Sequence, residues 1–289
     1  MSEKIVVTGC NGQLGRALSK ELASDSTYEY VGTDVDVLDI TDAEAVLKYM
    51  QDIKPYAVVN CAAYTNVDSC EKNEETAMKI NALCPRNLAC AASETGAKFV
   101  HISTDYVFPG DGKRPYRETD EPAPVSAYGR TKLAGERFTR DFSDKWFILR
   151  TAWLYGDGKN FVRTMLSIAE NHDRVSVVDD QLGNPTSAAE LARAIHRLLP
   201  TREYGIYHAT CEGICSWADF TEEIFRLSGL KTEVERISSE EYKRRFPESA
   251  SRPAYSALDN YMFRVGTDIR FVDWHDAIRE YLKEEGRLA

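Results

Sequence analysis

The feature that most constrains this chain lies near its start, where the apolar β-branched run Ile5-Val6-Val7 leads directly into Thr8-Gly9-Cys10-Asn11-Gly12-Gln13-Leu14-Gly15. A run with no polar alternate must be covered on both faces, as in a parallel sheet lying between helices. Glycine at positions 9, 12 and 15 permits a tight turn, close approach of backbone to a ligand and close packing of helix on sheet. The helix that opens at Gln13 turns unpaired N–H groups and its positive end toward that loop, which suits an anion. The unit therefore predicts a pyrophosphate site formed by Gly9, Asn11, Gly12, Gln13, Leu14 and Gly15. Its spacing is GxxGxxG rather than GxGxxG, and taken alone such a loop also fits a purely structural turn. Placement between a strand and a helix is what favours the ligand.

The same alternation continues. Tyr30-Val31-Gly32, Ala57-Val58-Val59, Phe99-Val100-His101-Ile102 and Trp146-Phe147-Ile148-Leu149 read as buried strands. Between them 13–24, 42–53, 74–95 and 127–141 read as amphipathic helices. Repeated strand-helix units joined by right-handed crossovers predict an α/β fold, a doubly wound parallel Rossmann sheet. Farther on, helices are expected at 161–171, 188–199, 217–227 and 274–285, and strands at 175–178 and 206–208. The chain should weave between two lobes. Residues 1–157 and about 186–215 are expected to form the dinucleotide-binding Rossmann lobe, and about 158–185 with 216–289 a smaller, interleaved α/β substrate lobe.

Bulk properties exclude several functions. The 289 residues carry a formal net charge of -10, which opposes general binding to nucleic acid or to a membrane surface. No apolar run approaches the roughly 20 residues needed to cross a bilayer, and Met1-Ser2-Glu3-Lys4 leads straight into a strand rather than a signal peptide, so a cytoplasmic protein is expected. Seven dispersed cysteines suit reduced thiols better than a disulfide framework, and the five histidines lack ligand spacing, so no metal is expected.

Asp34 ends the second strand at the distance beyond the loop where a carboxylate accepts hydrogen bonds from the adenosine ribose. It would repel a 2′-phosphate, which favours NADH over NADPH, although a solvated acid at a strand end is the simpler alternative. Asp39 and Ile40, and Ala62, Ala63 and Tyr64 after the third strand, are the next candidates to flank adenine and ribose.

Tyr128 and Lys132 stand four apart near the start of a helix whose cap is Ser126, and therefore share one face. A phenol ionises near pH 10, and a neighbouring ammonium is expected to lower that value, so Tyr128 can act as general acid in ketone reduction while Lys132 holds the nicotinamide ribose. By itself such a pair is usually a helix surface. Thr104 adds a third group to the pair. With Ser103 as the alternative hydroxyl, it sits at the end of a central strand, where open α/β sheets bind ligands, and it can donate to a substrate carbonyl or to Tyr128.

The glycine loop, the Asn60 to Thr65 run, the Ile102 to Phe108 run, Tyr128-Gly129-Arg130-Thr131-Lys132, Asn184-Pro185-Thr186 and the Arg252 to Leu258 segment together resemble the dTDP-4-dehydrorhamnose reductase family of the extended short-chain dehydrogenase/reductase superfamily. The resemblance spans nearly the whole chain. It implies hydride transfer from NADH or NADPH to C4 of a dTDP-linked 6-deoxy-4-ketohexose, with Tyr128 protonating the oxygen and Thr104 polarising the carbonyl. It further implies a sugar pocket lined by Asp105, Tyr106, Val107 and Trp153, an Asn81 that positions the Lys132 network through water, and Arg252 on the diphosphate, unless Arg252 is an ordinary surface residue. Some members dimerise through magnesium held by a carboxylate on the first helix; Arg16-Ala17-Leu18 offers none, and Glu190 alone is a poor site, so a monomer or a homodimer without metal is expected. Two rival readings are a nucleotide-sugar epimerase or dehydratase of the same superfamily, and a non-catalytic NAD(P)-binding regulatory subunit. Asp105 without a following Glu argues against the dehydratase, and the complete Thr104, Tyr128 and Lys132 set argues against the regulatory subunit.

Overall fold

Strand β1 (Glu3–Thr8) shows why the sheet is covered twice: Ile5 and Val7 pack on one face, Val6 on the other, and all three are fully buried. The computed structural model describes residues 2–289. After β1 come α1 (Gln13–Leu22), β2 (Tyr28–Thr33), α2 (Ala43–Ile53), β3 (Ala57–Asn60), α3 (Val67–Lys72), α4 (Glu74–Met78), α5 (Cys84–Thr95), β4 (Lys98–Thr104), α6 (Ala127–Phe142) and β5 (Trp146–Thr151). The chain continues through β6 (Leu154–Tyr155), α7 (Phe161–Ala169), β7 (Arg174–Val178), β8 (Leu182–Gly183), β9 (Thr186–Ser187), α8 (Ala188–Leu198) and β10 (Gly205–His208). Six parallel strands pair in the order β10-β5-β4-β3-β1-β2.

Each helix buries the stripe that its spacing predicts. Leu14, Leu18 and Leu22 of α1 meet Leu191, Ile195 and Leu198 of α8 over Ile5, Val7, Val59 and Leu149. Val46 and Met50 of α2 and Leu88, Ala89 and Ala92 of α5 cover Val6, Val58 and Phe99 on the opposite face. Each such Leu or Val contributes about 1.5–3 kcal/mol on leaving water. The single helix expected over 74–95 is interrupted by a π-helical segment, Lys79–Leu83, one wide turn that carries Asn81.

A second core joins Tyr155, Val162 and Leu166 to residues of β11 (Cys215–Ser216), α9 (Trp217–Leu227) and the last helix. Between α9 and that helix lie β12 (Glu233–Ile237), parallel to β7, then α10 (Ser239–Arg245) and α11 (Tyr261–Gly266); α12 (Trp274–Glu284) closes the chain. Here the structure departs from the expected boundary at 216. Phe263 of α11, with Ile269 and Phe271, packs in the core of the six-stranded sheet, the Phe263 ring 4.7 Å from that of Tyr207 on β10. These aromatic residues cover the otherwise open β10 edge. No helix among the described residues is long and apolar enough to cross a membrane.

Candidate active site

Between β1 and β3 the strand order reverses direction, and the loops that follow these two strands part to leave a crevice at the carboxyl edge of the sheet. The glycine loop occupies that crevice. Gly9 has φ of +65°, and a Cβ there would lie 2.8 Å from the Ala62 nitrogen. At Gly15 a Cβ would lie 2.5 Å from the Gly9 carbonyl oxygen, so helix and turn can touch only if position 15 is bare. The cap of α1 is Gly12, which has no side chain to satisfy the first amides of the helix, leaving them for an anion. These features fit the pyrophosphate of a dinucleotide.

A cavity of about 660 Å³ combines this loop (Gly9, Asn11, Gly12, Gln13, Leu14 and Gly15) and Ala63 with Thr104, Asp105, Tyr106, Tyr128, Lys132 and Trp153. The remaining residues expected at the cofactor stand outside its walls. Asp34, half-buried at the end of β2, accepts hydrogen bonds from the amides of Asn11 (3.3 Å) and Val35 (2.9 Å) and so ties the glycine loop to its neighbour strand. Asp39 is exposed and closes a turn on the Thr41 amide, while Ile40 packs against the α2 and α5 core. The Ala62 amide donates to Asn60 Oδ1, and Tyr64 exchanges two backbone hydrogen bonds with the side chain of Asn81.

The reactive side chains come from two adjacent elements. Thr104 ends β4. Ser126 caps α6 by accepting from the Gly129 amide, which sets Tyr128 in the first turn and Lys132 one turn later on the same face. Lys132 is 2% exposed and its Nζ donates to the Ile102 carbonyl at 2.6 Å. The Tyr128 hydroxyl pairs with the Thr104 side chain, and its ring meets the Tyr106 ring edge to face at 5.5 Å. Thr104 Oγ1 donates to Asp105 Oδ1 (2.9 Å) and accepts from the Tyr106 amide (3.2 Å). Asp105 Oδ2 is buried without a partner.

Burial dominates the electrostatics. It lowers Lys132 to about 8, against the pull of the Glu136 carboxylate, and raises the Asp105 carboxyl to about 6, against the nearby Ser256 and Thr104 hydroxyls. It also lifts the Tyr128 phenol well above its usual range, opposed chiefly by the Thr104 hydrogen bond. The expected lowering of Tyr128 by Lys132 is therefore not found: desolvation governs the phenol, and Lys132 is not among the groups that shift it. At neutral pH this arrangement presents a protonated phenol beside a buried ammonium, which is what proton donation to a ketone oxygen requires.

Other expected positions divide. Trp153 is held at φ of +46°, a strained value for a bulky residue, and stacks on Trp217 at 3.6 Å. Trp217 also lines the cavity, although the sequence marks it only as the first residue of a helix. Val107 does not line the pocket: it is fully buried among Phe108, Tyr116, Leu133 and Leu258, because the short 3₁₀ turn after β4 directs it inward. Asn81 reaches Tyr64 and the Thr131 hydroxyl, next to Lys132 on α6. Arg252 is exposed and borders a neighbouring cavity of about 610 Å³ with Phe161, Val177, Trp217 and Lys243. Trp217 belongs to the walls of both cavities.

This geometry has close counterparts. The spore coat polysaccharide biosynthesis protein SpsK of Bacillus subtilis is 41% identical over 282 residues, 97% of either chain. The crystal structure of a dTDP-4-dehydrorhamnose reductase from Clostridium acetobutylicum superposes with a TM-score of 0.94 at 49% identity, covering 98% of this chain and 99% of that one. A dTDP-4-dehydrorhamnose reductase from Bacillus anthracis, solved in complex with NADP, gives the same TM-score at 41% identity and covers 98% of this chain and all of its own. The family model described as the RmlD substrate binding domain matches residues 3–287, and the chain thus belongs to this family, that of the dTDP-4-dehydrorhamnose reductases.

Proposed function

We propose that this protein reduces the C4 ketone of dTDP-4-dehydro-β-L-rhamnose to give dTDP-L-rhamnose, using NADH in preference to NADPH, with Tyr128 as the proton donor. The observation that carries the reading is the convergence of Thr104, Tyr128 and Lys132 with the bare glycine loop on one cavity. Gly9, Gly12 and Gly15 with the first amides of α1 would hold the pyrophosphate, Asp34 the adenosine ribose and Lys132 the nicotinamide ribose. Bound in this way, the reduced nicotinamide supplies the hydride.

The chain's own residues do the rest. Tyr128 donates a hydrogen bond to the ketone oxygen, and Thr104 donates a second when its single hydroxyl proton turns from Asp105 Oδ1 to the substrate, so that the two polarise the carbonyl. As charge develops there, the Tyr128 proton moves to the oxygen, and the Lys132 ammonium stabilises the phenolate left behind. Asp105 and Tyr106 face the sugar. Trp153, braced by Trp217, forms a flat wall, and the adjoining cavity receives the nucleotide, its diphosphate within reach of Arg252. The six-stranded-sheet lobe would thus carry the cofactor and the second core the nucleotide sugar. Seven free cysteines support a reducing, cytoplasmic setting.

Consumption of NADH and NADPH with dTDP-4-dehydro-L-rhamnose, made in situ, tests the reading. Native protein should turn over, and Tyr128→Phe should lose at least about 100-fold in kcat. Turnover without added reduced cofactor would identify an epimerase; no consumption of either cofactor would favour the regulatory subunit.

A further inference from the structure

We propose that Glu136, clamped by Arg150, is a positioning residue for the reductive site: its buried carboxylate keeps Lys132 cationic and fixes the end of β4 that presents Thr104. This rests on the reading of Lys132 given above.

Tyr128, Lys132 and Glu136 recur at intervals of four along α6 and so form one stripe facing the sheet. Glu136 closes that stripe at 2% exposure. Its Oε1 accepts from the Ser103 hydroxyl at 2.5 Å and from Arg150 Nε at 2.9 Å, and its Oε2 accepts from Arg150 Nη2 at 2.7 Å. Ser103 on β4 and Arg150 on β5 are direct register partners, so one carboxylate fastens both strands to the catalytic helix beside Thr104.

Stability alone gives no reason for this pair. Replacing a buried ion pair with apolar residues is often neutral or favourable, whereas breaking one is costly. The charge has a use one turn away. Desolvation works against the Lys132 ammonium, and Glu136 is the carboxylate that opposes it. The other groups near Lys132 are Cys61 after β3 and His101 on β4, with Tyr128 one turn earlier on α6. Burial keeps the two thiol and phenol groups protonated and the imidazole deprotonated, so all three are neutral at pH 7. The nearby acids on packed helices are committed elsewhere: Glu71 of α3 accepts from the Ala127 amide and Glu74 of α4 pairs with Arg130.

The sign follows. Lys132 is charged below about 8 and loses its proton above. Without the Glu136 charge that proton leaves at lower pH, so reduction should fail earlier on the alkaline side. The experiment measures the alkaline limb of kcat for NADH-dependent reduction, and in parallel titrates Lys132 by NMR of 13C-labelled lysine in the intact protein, its signal assigned by Lys132→Met. Glu136→Gln should move both titrations down by about one pH unit or more. Glu136→Asp, with the carboxylate withdrawn by one methylene, should move both by a smaller step in the same direction. Glu74→Gln, which breaks the ion pair on the outer face of the same helix, should move neither. Unmoved titrations in a folded Glu136→Gln would overturn the proposal, and if that variant does not fold, unmoved titrations in Glu136→Asp would do so. A native protein that fails to reduce the sugar would refute the proposed function, while the Lys132 signal would still decide the role of Glu136.

Discussion

Asp34 illustrates how much a single residue decides. Its carboxylate is held by the amides of Asn11 and Val35 at the rim of the glycine loop, so it is fixed rather than free to swing away from an approaching 2′-phosphate. Asp34→Ala should therefore raise the NADPH to NADH ratio of kcat/KM by at least about tenfold, equivalent to about 1.4 kcal/mol of removed repulsion. An unchanged ratio in steady-state kinetics would relieve Asp34 of that role. At this scale the sequence was legible where a motif has a local cause. Ser126 caps α6 because its oxygen reaches the Gly129 amide, and that cap starts the helix whose first two turns carry Tyr128 and Lys132. It was illegible where side chains meet across the fold. Nothing near Glu136 or Arg150 announces that they pair, and the inward turn of Val107 depends on Tyr116 and Leu258, which are distant in sequence.

Among elements, the β1-loop-α1 unit carries the most information per residue. Gly15 lets α1 start against the Gly9 carbonyl, and a branched side chain would push the helix away from the turn that presents its amides. Gly15→Val should weaken NADH binding by at least tenfold, an increase in Kd readable by the quenching of protein fluorescence; an unaltered Kd would mean that the loop is not the pyrophosphate site. Strands of the sheet were recoverable because both faces are apolar, and α9 was recoverable as a helix over 217–227, although its reciprocal Ser216 and Asp219 cap emerged only in the structure. The short elements α3, α10 and α11, and strand β12, were not. They have one or two turns or five residues, too few to set a period, and β12 is held by pairing with β7 rather than by its own pattern. The π-helical turn at Asn81 has no local signature either, since it is defined by what Asn81 must reach, namely Tyr64 and Thr131.

At the scale of the molecule, one sheet edge gathers the glycine loop, Thr104 and the Tyr128 helix, while the second core supplies Trp217 beneath Trp153. The order of elements along the chain implied this weaving, but not that Phe263 and Phe271 return to seal the β10 edge, which is a matter of tertiary packing. In the proposed reaction a hydride reaches C4 of the sugar and a proton from Tyr128 reaches its oxygen. This is tested most directly with NADH bearing deuterium on the transferable position and dTDP-4-dehydro-L-rhamnose, with the product followed by NMR and mass spectrometry. One deuterium is expected, at C4 of a dTDP-L-rhamnose product, with near-complete loss of that product for Tyr128→Phe. Product free of deuterium, or deuterium at another carbon, would contradict it.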